Sequence, residues 1–357
     1  MTRIDVVVLK RIGGSILLVL VVVFGLLLIL ESLNWPRYLY IADLGGAPLA
    51  LASMAAASGR WALRTLSMTV LVGTIIGILA LQARQELNVI KASGYSIWRT
   101  MRAPVFAIAV CGIGISVFVE SAVTQFDRSL NPNQTSETGA ISPDGAFWIQ
   151  QDAENFRYVI RAVGVNPAAT VLGIVTIFLF GEGAEYDRIT CRDLRFVDGQ
   201  WILPEGVGYD AGRPPKRLVD YAIPTNSTAA DLRVRMASAS DLTMFELAGA
   251  LAGRLSDPQL AAAVLTRLVR LATLPLLLVG SMLIAIAFTA SYRRTSKYGV
   301  AVLYGMVLGF VVFFVTEVAD RAGSAGALDP VFAGVAPAFV AVVVGLTVLL
   351  YREDGRA

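Results

Sequence analysis

The ten residues VLGIVTIFLF, Val171–Phe180, decide how this chain is organised. They are as apolar as a membrane span, yet a helix needs about twenty such residues to cross the hydrocarbon layer. Arg157, Arg161 and Pro167 break the sequence before them, and Gly181-Glu182-Gly183 ends the run after them. β-Branched side chains dominate it, which together with its length and flanks makes it a buried strand rather than a helix. Residues 123–262 therefore read as a water-exposed β domain inserted between membrane spans.

The rest of the chain supports that division. It has 357 residues, of which 56% are hydrophobic and only 16% charged, a composition that belongs to polytopic membrane proteins. Six apolar runs are long enough to span, near 12–31, 64–83, 103–122, 267–290, 299–319 and 331–351. The first begins like a secretory signal, but it is long enough to cross and no small-residue cleavage site follows, so it reads as a retained span. The Ala-rich stretch 47–63 reads as an interfacial helix leading into the second run. The expected domains are 1–122 with spans one to three, 123–262 with the β domain and a connecting helix, and 263–357 with spans four to six.

Lys and Arg in the short segments give the orientation. Arg3, Lys10 and Arg11, then Arg84, Lys91, Arg99 and Arg102, then Arg293, Arg294 and Lys297, then Arg352 and Arg356 fall on one side. That side is cytoplasmic by the positive-inside rule, with both termini on it and the β domain outside.

Several function classes drop out. The formal charge is +3 and no basic tract carries interleaved aromatics, so nucleic acid is not an expected partner. The chain has no His, which removes His-dependent nucleophile systems and His-based metal sites. Cys111 lies in an apolar run and Cys191 in a polar one, so they read as lone thiols rather than a disulfide. No phosphate-binding Gly-x-x-x-x-Gly-Lys-Ser/Thr occurs. The acids of the β domain, Asp152, Glu154, Asp187 and Asp193, lie among basic residues and read as solvated faces. No enzymatic constellation, cofactor or metal is expected.

Within the insert, AFWIQQD, FRYVIRAVGV, VLGIVTIFLF, DRITCRDLRFV and QWILP read as strands, with Asp198-Gly199 as a hairpin turn. Six or seven strands predict a β-sandwich or roll. From Ser240 the pattern turns helical, with Asp241 and Asp257 as candidate caps.

A second stretch carries more function than its length suggests: ARQELNVIKASGYSIWRTM, residues 83–101, a charged loop between two spans. Leu81, Leu87 and Ile90 fall near one helical face, with Gln85, Glu86 and Lys91 on others and Gly94 as a C-cap, which predicts a cytoplasmic helix over 82–94. Physics leaves two readings open. The helix lies at the membrane surface with Lys91 and Arg99 near lipid phosphates, or it docks a cytoplasmic protein through Glu86.

The string QELNVIKASGYSIWRTMRAPVF resembles the cytoplasmic segment of the LptF/LptG permeases of the lipopolysaccharide exporter, with Glu86-Leu87 and the run Lys91 to Ser96 matching. The order of parts is similar as well: two spans, the short helix, a third span, a periplasmic β-jellyroll, and three more spans. YVIRAVGVNPAATVLGIVTIFLF resembles the family's jellyroll strands and YGVAVLYGMVLGFVVFFVTEVAD its Gly-rich fifth span. The run Gly299 to Val311 and the jellyroll entry FWIQQDAENFRYVIRAV look closer to the LptG branch.

The resemblance implies a six-span helical protein of the bacterial inner membrane with an inserted periplasmic β-jellyroll. It implies a permease subunit of an ABC transporter that extracts lipopolysaccharide and passes it to a periplasmic bridge. The implied partners are an LptB-type ATPase dimer, an LptF-type permease, an LptC-type protein, lipopolysaccharide and membrane lipids. Glu86, Leu87, Ile90, Lys91 and Gly94 would dock the ATPase. Phe24, Leu28, Phe310, Phe313 and Phe314 would line the cavity and its side gate between spans one and five. Glu31 and Arg37 would stand at its outer mouth, with Glu317 and Asp320 near the outer end of span five. The rival readings are the LptF-type paralogue, an exporter of another lipid, and a membrane sensor or scaffold with a periplasmic binding domain.

Overall fold

The computed structural model describes residues 3–33, 35–92, 96–130, 146–153, 156–165, 171–180, 185–197, 199–225, 231, 242–252, 255, 258–289 and 298–353. It divides into two compact units, one of Met1–Leu130 with Thr266–Ala357 and the other of Asn131–Leu265.

Among the described residues the helices are α1 (Arg3–Ser32), α2 (Trp35–Arg64), α3 (Leu66–Ala83), α4 (Glu86–Ala92), α5 (Ile97–Gly114), α6 (Glu120–Leu130), α7 (Met244–Ala252), α8 (Pro258–Thr289), α9 (Tyr298–Ser324) and α10 (Pro330–Glu353). A π-helical turn, Ile115–Val119, joins α5 to α6. Among the described residues six stretches are long and apolar enough to cross a membrane: Ile4–Ser32, Leu66–Ala83, Ile97–Phe126, Pro258–Thr289, Leu303–Ser324 and Pro330–Tyr351. They coincide with the six expected spans. The Ala-rich segment is helical as expected, but its helix starts earlier, at Trp35, and is broken at Gly45–Gly46, where Gly46 has φ +79° just ahead of Pro48. That backbone suits glycine alone, and Pro48 brings no N–H to continue the ladder across the break.

Within the first unit, α3 is the hub. Gly73 and Gly77 let α1 approach so closely that a Cβ on either would stand 2.5 Å from Ile16 Cα and 2.9 Å from Ile12 Cα. On another face, Leu71 and Ile75 of α3 pack over Gly309 and Gly305 of α9. Small residues set such contacts because lipid removes the hydrophobic drive, leaving van der Waals fit to hold helices together. Gln82 Nε2 donates to the Thr289 carbonyl at 2.8 Å, capping the end of α8.

The junction of α5 and α8 shows how one irregularity answers another. Pro275 in α8 has no N–H, which orphans the carbonyl of Leu271 one turn earlier. Ser116, in the π-helical turn, donates its hydroxyl to that carbonyl at 2.5 Å. Gly112 makes room, since a Cβ there would lie 2.8 Å from Pro275 Cα. Backbone at membrane depth must be satisfied by protein, and a neighbouring serine does so here.

The second unit holds β1 (Ala146–Asp152), β2 (Arg157–Val165), β3 (Val171–Phe180), β4 (Arg188–Val197), β5 (Gln200–Tyr209) and β6 (Lys216–Pro224) in one antiparallel sheet of that order. Val171–Phe180 is the third strand, paired on both sides. The β4–β5 hairpin turns at Gly199, φ +76°, with Val197 opposite Gln200. Alternate residues point inward, and Tyr158, Ile160, Leu172, Ile177, Ile189, Trp201 and Leu203 form the core. The buried Gln151 Oε1 accepts from Trp201 Nε1 at 2.7 Å, Tyr158 OH at 2.8 Å and Thr225 Oγ1 at 3.2 Å, which ties β1 and β2 to β5 and the end of β6. Among the described residues the β domain is thus a single rolled sheet of consecutive neighbours rather than two stacked sheets. After it, α7 is capped by Thr243, whose N–H meets Glu246 Oε2 at 2.8 Å while Glu246 N–H reaches Thr243 Oγ1 at 3.4 Å. This reciprocal capping box sits two residues beyond Asp241, which together with Asp257 lies outside the described residues.

Candidate functional site: the cytoplasmic helix and the apolar spans

The short helix α4 is joined to α3 by a left-handed residue, Gln85, with φ +61°. A side chain in that region costs on the order of 1–2 kcal/mol, so the turn persists only because its surroundings hold it. They do: Leu87 and Ile90 are 2% and 9% exposed and belong to a core cluster with Val8 and Ile12 of α1, Leu81 of α3, and Ile97 and Met101 of α5. The hydrophobic face expected of this helix is real, but it packs on its own bundle. Leu87 and Ile90 set the pose of α4, and Val89 stands outward at 68% exposure.

Glu86 opens the helix. Its Oε1 lies 3.6 Å from Arg11 Nη2 on α1, and its Oε2 is buried without a hydrogen-bond partner. A second pair of opposite sense, Arg102 Nη2 to Asp5 Oδ2 at 3.6 Å, ties α5 to the same end of α1. The Arg11–Glu86 pair is partly exposed and worth at most about 1 kcal/mol, so its value lies in register, while Asp5 of the second pair is buried. The side chain of Lys91 and the whole of Gly94 lie outside the described residues. Ser96 caps α5, accepting the Arg99 N–H at 3.3 Å. Arg11 and Val89 were missed as members of this site. Arg11 is distant in sequence, and Val89 falls off the apolar stripe.

The residues expected along the transport wall fall on two helices that both lean on α3. On α1, Phe24, Leu28 and Glu31 are half-buried, while the Arg37 side chain on α2 lies outside the described residues. On α9, Phe310 and Phe314 are more than half exposed and Phe313 is half-buried. The structure does not gather these residues into one cluster within the chain. It presents two outward apolar faces, one on each side of α3.

Near the other ends of the spans, charges pair inside the bundle. Arg267 of α8 bonds Glu120 of α6, and Arg270 bonds Asp320 and lies 3.5 Å from Glu317, both on α9. Arg321 adds a contact to Glu317 at 3.5 Å. Glu317 and Asp320, singled out in the sequence, are therefore partners of Arg270. The signal that would have found the set is a pair of arginines three apart in an apolar run, which demands carboxylates from neighbouring helices.

Among the described residues no group of acids and cysteines has metal-binding geometry. Cys111 is exposed on α5 and Cys191 buried in the sheet, both free. Burial, and then the charge of Asp193, pushes the Cys191 thiol up to about 12. Burial, and then Glu185, likewise pushes the Tyr221 hydroxyl up to about 12.

Comparison with known proteins places this arrangement. Residues 7–352 match the family model described as lipopolysaccharide export system permease LptF/LptG. The chain is 22% identical over 296 residues to the protein named lipopolysaccharide export system permease protein LptG of Escherichia coli strain K12, covering 80% of this chain and 81% of that protein. The protein of that name from Escherichia coli O6:H1 strain CFT073 matches to the same extent.

Proposed function

The chain belongs to the LptF/LptG family of lipopolysaccharide export permeases, and from that premise we propose that it is an LptG-type subunit of an ABC transporter in the inner membrane. Its termini and α4 face the cytoplasm and its β domain the periplasm, as the distribution of Lys and Arg indicates. A second permease of the LptF type completes the cavity, a separate LptB-type ATPase dimer supplies the energy, and the β domain hands lipopolysaccharide to an LptC-type periplasmic partner.

The observation that carries this reading is the construction of α4. Seven residues are held through a left-handed turn, two buried apolar anchors and the Arg11–Glu86 contact, while Val89 and part of Glu86 remain open. A helix so fixed to the first span delivers a push from outside to that span. In the docked state Glu86 takes a cation from the ATPase, and Val89 supplies apolar area. Removing one partner of a desolvated charge contact across an interface costs about 2–5 kcal/mol.

The test is co-purification of the chain with a candidate ATPase and a second permease, followed by ATP-driven release of lipopolysaccharide from proteoliposomes. Glu86→Ala should leave the chain folded, lower the yield of bound ATPase and reduce lipid released per ATP consumed. Normal assembly and export by that variant would remove α4 from the docking role.

A further inference from the structure

The outer face of the rolled sheet carries a surface that transport does not require. Strand register sets its rows: Arg157 stands opposite Phe180; Val159, Phe178, Arg188 and Tyr209 form the next row; Trp148, Arg161 and Thr176 the next; and Val163, Ile174 and Arg192 the fourth. Inward residues alternate with these, so all of them project from the side away from the core. The face is apolar where a soluble sheet is normally polar. Trp148 is 43%, Phe180 55% and Ile174 58% exposed.

Its charge is mainly positive, with Arg157, Arg161, Arg188 and Arg192 set against Asp152 in register with Arg157 and Glu205 in register with Arg192. Arginines and aromatic rings interleave: Trp148 stacks on Phe178 with ring centres 6.2 Å apart, Arg161 lies 6.0 Å over Trp148, and Arg188 lies 4.4 Å over Tyr209. Glu205, the carboxylate in register with Arg192, is engaged by Arg217 at 2.5 Å. Apolar and aromatic side chains laced with cations match the boundary of an anionic bilayer, where rings enter the headgroup layer and guanidinium groups meet phosphate.

We propose that this outer face, built on Trp148, Arg161, Ile174, Phe180, Arg188 and Arg192, docks on anionic phospholipid headgroups of the membrane in which the spans sit. The sheet is tethered to that membrane by α6 and α8, so its local concentration at the surface is high and modest attraction suffices. The inference is independent of the cargo and of the docking role of α4.

The experiment uses the full chain with Cys111→Ser and Thr176→Cys, which puts one reactive thiol at the centre of the face. Cys191 stays silent because its thiol is buried and largely un-ionised at neutral pH. A fluorophore on position 176 is read in nanodiscs of phosphatidylcholine alone, or with one lipid in four replaced by phosphatidylglycerol, each containing a headgroup-nitroxide quencher. The expected result is strong quenching in the anionic discs, weak quenching in the neutral ones, and loss at high salt. Replacing Arg161, Arg188 or Arg192 with Gln should lower the ratio of lipid-contacting to free states about fivefold each, while continued silence of Cys191 reports an intact sheet. Equal quenching in both discs, indifference to the arginine variants, or quenching that appears only when lipopolysaccharide or another protein is added would overturn the proposal.

Discussion

The first span and its neighbour α3 differ in a way that composition alone inverts. The window that defines the first span is the more apolar of the two, yet only 6% of it is buried inside the protein, against 67% for α3. In water the more apolar helix would be the core. In lipid the hydrocarbon is itself an apolar solvent, so packing is signalled by small and polar residues instead. α3 carries Gly73, Gly77, Thr69 and Thr74 in contact positions, while α1 offers Leu17, Leu18, Val21, Val22 and Ile29 outward. α8 sides with α3, being 61% buried and holding Arg267 and Arg270 inside the bundle.

The largest effect should come from the charge that the packed set can hold and the exposed set cannot. Arg267→Leu leaves Glu120 buried with a carboxylate unpaired, and should cost about 3–5 kcal/mol, read as a lower thermal midpoint in detergent. The double variant Arg267→Leu/Glu120→Leu should recover most of the loss. If the single and double variants were equally damaged, the pair would not be what secures α6 to α8.

A smaller effect belongs to the seam between the two helices. Gly73→Val puts a branched side chain where even a Cβ stands 2.5 Å from the α1 backbone. Overpacking of this kind costs about 1–3 kcal/mol. Because α1 also carries the partner of Glu86, the same variant should loosen α4, seen as faster hydrogen exchange at Leu87 and Ile90. Exchange unchanged in α4 would mean that the Arg11–Glu86 contact does not depend on the α1–α3 fit.

The same contrast explains what could be read in advance. The six spans were legible because a run of apolar residues is a local property, and Val171–Phe180 was legible as a strand because its length and flanks are local too. The apolar stripe of α4 was legible as a stripe, but periodicity states which residues share a face and not what the face meets; the docking role of Leu87 and Ile90 came from the family resemblance, and within the chain both side chains pack on their own bundle. Arg11 with Glu86, and Arg267 with Glu120, join residues far apart in sequence, and only the fold decides such pairs. A sandwich or roll was expected of the sheet, and what stayed hidden was the choice between them and the strictly consecutive strand order, since strands reveal their faces but not their neighbours. The cap of α7 was within reach: Thr243 and Glu246 have the capping-box spacing, and Asp241 drew attention from it.

The smallest expected effect tests the exposed side of the comparison. Leu18→Ala/Val22→Ala trims two side chains that are 60% and 62% exposed in the isolated chain. If that face meets only lipid, the change removes contacts that hydrocarbon replaces, and stability should move by less than about 0.5 kcal/mol. The thermal midpoint of the purified chain in detergent checks this. The gate role that the family resemblance implies for α1 would ask more of this span, because such a gate closes against a second permease and opens for a lipid with several acyl chains. The double variant should therefore release less lipopolysaccharide per ATP, or retain less of the second permease on purification, while the chain itself stays as stable as before. Loss of stability without loss of transport would reverse the assignment. It would make α1 a packing helix like α3, and its low burial in the single chain would then record a missing neighbour rather than a surface built for lipid.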